Sequence, residues 1–124
     1  MGEAFSDIDL SNPKRPDLQP VRARALADTG AVVLCIPEHV ALQLGFETAT
    51  HREAVVDGRQ LSVPYVGPVQ VTFDGRFCFA GALVLGEDVR LGAIPMADID
   101  LVVHPERRKV TVNPKSPNVP QARA

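Results

Sequence analysis

The chain has 124 residues, 45% of them hydrophobic and only 5% aromatic, with a formal net charge of −2 and a pI of about 5.9. That size gives one domain with an aliphatic core, and the scattered basic residues exclude the concentrated positive footprint of a nucleic-acid binder. Eleven prolines and nine glycines imply many short elements separated by turns, which favours a β-rich barrel or sandwich over a helical bundle.

Residues 1–18 are polar and acidic and run into Pro13, Pro16 and Pro20. They read as a flexible lead-in with no secretory signal. Val21 to Leu26 alternates and predicts a strand, and Ala31 to Ile36 is a β-branched run that predicts a buried one. Between them lies Asp28-Thr29-Gly30. Pro37, then Val40, Ala41 and Leu44 at helical spacing, then Gly45, predict a short helix. Arg52 to Val56 and Gln60 to Tyr65 flank Asp57-Gly58, and Val69 to Phe73 and Phe77 to Ala80 flank Asp74-Gly75. Each is a two-residue hairpin signal. Ala82 to Leu85 predicts a further strand, and Ala93 to Ile99, after Val89-Arg90-Leu91-Gly92, a second short helix. Leu101 to His104 and Lys109 to Val112 predict a closing hairpin around Pro105 to Arg108. Residues 114–124 form a Pro-rich segment, expected to be a flexible tail, so the folded domain is expected over 19–113. Two segments echo each other: Gly30-Ala31, Ile36-Pro37 and a helix, then Gly92-Ala93, Ile94-Pro95 and a helix.

Several side chains invite a functional reading and receive a plainer one. Cys35 and Cys78 sit in apolar runs without a CxxC, which favours buried free thiols over a disulfide or a metal site. His39, His51 and His104 lack metal-ligand spacing, so no metal and no cofactor is expected. Asp57 and Asp74 read as hairpin-turn residues. The longest apolar run, Phe77 to Gly86, is too short to span a membrane. A cytoplasmic location is the expectation.

Asp28 is the exception, an acid between two apolar strands. The stretch "ALADTGAVVLCIP", with "VVDGRQLSVPYVG", "VRLGAIPMADIDLVV" and "LVVHPERRKVTVNP" after it, resembles the retropepsin-like aspartic proteases, single-domain relatives of pepsin, from about Val21 to Asn113. The resemblance implies a mainly β, closed acid-protease-type barrel with one or two short helices, working as a homodimer on peptide or protein substrates. It implies Asp28 as the catalytic acid, with Thr29, Gly30, Ala31, Leu91 and Gly92 supporting the active-site loop. The hairpin around Val56, Asp57, Gly58 and Arg59 would be a substrate-covering flap.

The chemistry agrees with this. Hydrolysing a peptide with neither metal nor nucleophilic side chain takes two carboxylates sharing one proton. The chain has a single Asp-Thr-Gly, so the second acid must come from a second copy across a twofold axis. Two departures are visible. Arg90 stands where the bracing turn would carry an apolar residue, and the flap tip is Asp57-Gly58-Arg59 instead of glycine-rich. They keep open an alternative, a catalytically weak or inactive dimerisation or peptide-binding module of the same family.

Overall fold

The computed structural model describes residues 3–124. Nine strands and two short α-helices follow in chain order: β1 (Ala4–Ser11), β2 (Val21–Ala27), β3 (Leu34–Ile36), α1 (Glu38–Gln43), β4 (Thr50–Val56), β5 (Arg59–Phe73), β6 (Arg76–Val84), β7 (Arg90–Leu91), α2 (Ala93–Ile99), β8 (Leu101–His104) and β9 (Lys109–Val112). One sheet runs β1-β2-β7-β3-β6-β5-β4, and β1 also pairs with β5. That last pairing closes six strands into a barrel, leaving β4 outside the ring as an edge strand. β8 and β9 form a separate two-stranded sheet.

The period-2 pattern of β1 and β2 builds the first wall. Ala4, Ile8 and Leu10 are 3%, 1% and 0% exposed, and Ala25 lies opposite on β2. Residues 1–18, expected to be a flexible lead-in, therefore contain a barrel strand. The acids that made the segment look solvated occupy its outward positions, where Asp7 and Asp9 register against Arg24 and Arg22. Asp9 pairs with Arg22 at 3.3 Å, and the Arg24 guanidinium lies 4.2 Å from the Phe5 ring centre.

β5 is one 15-residue strand, where two were expected. Its first half pairs with β4 and its second with β1, while β6 runs along most of it. A bulge between Val66 and Val69 bends it, which lets one strand serve both the projecting hairpin and the barrel wall. At both predicted hairpin turns the central residues have positive φ: 51° and 74° at Asp57-Gly58, and 47° and 85° at Asp74-Gly75. These are the values a type I′ turn demands. Helix α1 buries Val40 and Ala41 and ends at Gly45, φ 69°. Gly45 N–H donates to Leu42 C=O and Phe46 N–H to Ala41 C=O, so the predicted glycine stop is a Schellman cap.

The Pro-rich segment after Asn113 has no regular secondary structure, yet it is fastened down where a flexible tail was expected. Asp100 accepts hydrogen bonds from the Asn113 side chain, the Ser116 hydroxyl and the Gln121 N–H. Those bonds, led by the Ser116 hydroxyl, hold the Asp100 carboxyl below its ordinary range. The buried Arg76 guanidinium donates to the carbonyls of Ile99 and Ser116. Both cysteines are free and buried, and burial pushes the Cys78 thiol up to about 12. Among the described residues no helix is long and apolar enough to cross a membrane.

Candidate active site

Ala31 to Ile36 was expected to be a strand throughout, but only Leu34–Ile36 extends as one. The preceding residues turn to bond elsewhere. Ala31 and Val32 C=O accept from Ala93 and Ile94 N–H, both at 2.9 Å, so the two echoing segments clasp each other through their backbones. β7 lies between β2 and β3, with Leu26 and Ala27 registered against Arg90 and Leu91, and Cys35 against Arg90. Asp28 N–H donates to Leu91 C=O at 3.0 Å.

The crossing is close enough to dictate residue type. A Cβ at Gly92 would lie 2.3 Å from Val33 O and 2.7 Å from Val32 C, so any larger residue forces two backbones apart. Gly30 acts differently. Its φ is not in the left-handed region, so no unusual backbone conformation requires a glycine there. Its N–H instead donates to Asp28 Oδ1 at 3.0 Å, an Asx-type closure that fixes the carboxylate on its own loop. Asp28 stays about a third exposed, and its Oδ2 lies 3.6 Å from the Arg90 guanidinium.

Asp28 opens onto a cleft of about 640 Å³. Gly30 and Ala31 line one wall, and Val55, Val56 and Asp57 of the β4–β5 hairpin line the other. Leu83 and Leu85 contribute apolar lining between them. Thr29 is exposed beside the cleft without lining it, and Leu91 and Gly92 lie buried beneath. Gly58 and Arg59, at the hairpin tip, also lie outside the lining. Among the described residues no three His, Cys, Asp or Glu side chains are grouped to hold a metal ion.

Known structures carry the same architecture. The retroviral protease-like domain of Ddi1 from Leishmania major superposes with a TM-score of 0.60 at 15% identity, covering 90% of each chain. EIAV protease, in complex with the inhibitor HBY-793, gives 0.54 at 18% identity, over 73% of this chain and 82% of that one. The chain has the retropepsin fold. No protein-family model and no curated protein matches the sequence.

Within the retropepsin fold, sequence reasoning missed the cleft's charges. Arg90 was visible only as a departure from an apolar pattern, yet the alternation was legible. Val89 and Leu91 are 4% and 0% exposed, so the residue between them must face the other way, into the cleft. Glu53, Glu87 and Asp88 also line it, and no motif marks them. Cys35 lines it too, with its thiol raised chiefly by burial.

Proposed function

We propose that the chain is one subunit of a homodimeric aspartic endopeptidase. The observation that carries this reading is Asp28 itself: a carboxylate oriented by Gly30 N–H, on a turn braced from β7, at the foot of a cleft covered by a hairpin. Bringing Asp28 of the partner subunit within about 3 Å leaves two like charges that cannot both be ionised, so the pair holds one proton. The ionised member takes a proton from a water that attacks the scissile carbonyl carbon. The protonated member donates to the carbonyl oxygen as the tetrahedral intermediate forms. In this reading Thr29, exposed next to Asp28, contacts the partner loop, and the β4–β5 hairpin closes over an extended peptide and excludes water.

The test is incubation with a broad peptide library from mildly acidic to neutral pH, alongside sedimentation to establish the dimer. Cleavage that disappears in Asp28→Asn, with dimerisation intact, is the expected result. No cleavage by a dimer under any condition defeats it. The Arg90–Asp28 ion pair favours a second reading, a dimeric peptide-binding module without hydrolysis, because it gives the carboxylate a partner other than substrate water. In that case the library binds and emerges intact.

A further inference from the structure

The proposed chemistry makes no use of Arg90, which is nevertheless held in place firmly. Its backbone is paired to β2 on one side and β3 on the other, so the root of the side chain cannot wander. The guanidinium is about half exposed within the cleft. Its one charged contact among the described residues is Asp28 Oδ2 at 3.6 Å, beyond hydrogen-bonding distance. Among the described residues, the forked set of donors that suits a carboxylate therefore makes no hydrogen bond.

The surroundings sharpen its role. Every other charged side chain lining the cleft is a carboxylate: Asp28, Glu53, Asp57, Glu87 and Asp88. Glu53 and Asp57 come from the hairpin, and Glu87 and Asp88 from the loop before β7. Arg90 is the single cation among the described lining residues. An acidic substrate side chain meets like charge elsewhere in this cleft and a matching fork only at Arg90. Because Arg90 neighbours Asp28, that position adjoins the bond to be cut.

We infer that Arg90 is a specificity-determining residue: it receives an Asp or Glu side chain of an extended peptide next to the scissile bond, and in the twofold dimer each subunit's Arg90 offers this on its own side of the cut. The surrounding carboxylates disfavour acids at other positions and favour neutral or basic ones. This rests on reading the cleft as a peptide site, and it changes the simple expectation of apolar residues flanking the cut.

The experiment walks a single Glu through dye-labelled ten-residue peptides of Ala, Val and Lys, each matched to a Gln peptide. Binding is read by fluorescence anisotropy on the Asp28→Asn protein, which holds peptide without cutting it. At the positions that meet the two Arg90 side chains of the dimer, Glu binds about tenfold more tightly than Gln, the low end for a charge-assisted hydrogen bond because Arg90 is half exposed. Elsewhere Glu binds more weakly than Gln. Arg90→Leu abolishes the preference and Arg90→Lys keeps part of it. Thermal melting checks that Arg90→Leu folds, and Arg90→Gln serves as the second neutral variant. No position favouring Glu, or a preference that survives both neutral variants, overturns the assignment. Cleavage by the wild-type protein is scored separately. Glu-selective binding without cleavage defeats the protease reading alone, and cleavage without Glu selectivity defeats the Arg90 assignment alone.

Discussion

The wall of the cleft that carries Asp28 is fixed from several sides, whereas the wall made by the β4–β5 hairpin is held from one. Around Asp28 the backbone bonds to Leu91, Ala93 and Ile94 tie together the loop, β7 and the start of α2. Gly92 lets those backbones touch. The hairpin has no such counterpart. β4 pairs with β5 alone, and Thr50 to Glu53 and Val55 are exposed. An over-determined backbone holds a carboxylate in one place, and an edge hairpin with few buried contacts opens at low cost. The fold thus puts rigidity around Asp28 and leaves mobility in the hairpin wall.

One kind of substitution, made at Gly92 under the Asp28 wall and at Gly81 under the base of the hairpin, tests that contrast most severely. Gly92→Ala drives a Cβ into the carbonyl of Val33, and relief requires two backbones to move. We expect a loss of about 3 kcal/mol or more in urea unfolding, with Asp28 displaced in the same step. Gly81→Ala also creates an overlap, since its Cβ falls on the Tyr65 phenol ring. Tyr65, however, is a side chain at the base of the hairpin and can swing away. About 1–2 kcal/mol is expected there. Equal losses at the two sites would remove the distinction between a backbone lock and a side-chain prop.

How far the sequence revealed this depends on whether a feature is local. The two type I′ turns, the Gly45 helix stop and the Asp28 loop each have a chemistry contained within a few residues, and they were legible. β1 was not, because its acids resemble a solvated segment until Arg22 and Arg24 on the neighbouring strand are placed opposite them. The C-terminal segment was misread for a similar reason. Prolines prevent it from pairing as a strand, but its anchor is Asp100, distant in sequence from Ser116 and Gln121. Arg90 is an intermediate case. Strand alternation gives its direction, but nothing local says that Asp28 lies 3.6 Å away.

A milder change sharpens the comparison from the hairpin side. Gly58 has φ 74° with nothing within 4 Å of a built Cβ, so Gly58→Ala introduces strain without collision. The cost is about 1 kcal/mol, the usual penalty for a side chain in the left-handed region. It should appear as faster amide exchange along β4 and the adjoining part of β5, with the exchange of Asp28 and Ala93 unchanged. Faster Asp28 or Ala93 exchange, or loss spread evenly over the barrel, would mean the two walls are one cooperative unit.

The smallest expected effect concerns how the hairpin is held at its base. The Arg52 guanidinium lies 3.8 Å from the centre of the Tyr65 ring, and Gly81 packs against that same ring. Tyr65 is thus gripped between a cation from β4 and a glycine of β6. Arg52→Ala removes the cation and leaves the backbone ladder intact, so about 0.5–1 kcal/mol is lost, as for other exposed cation–π pairs. Because Tyr65 also packs in the small apolar cluster of Cys35, Val63 and Leu83, the loss loosens the β4 side without exposing the core. Amide exchange should rise in Thr50 to Glu53 while the melting temperature moves by only a few degrees. Arg52→Lys should restore part of the protection, since an ammonium still meets the ring face. If Arg52→Ala leaves β4 exchange untouched, the hairpin is held by its hydrogen-bonded ladder alone, and its opening is set at the Asp57-Gly58 turn instead of at Tyr65.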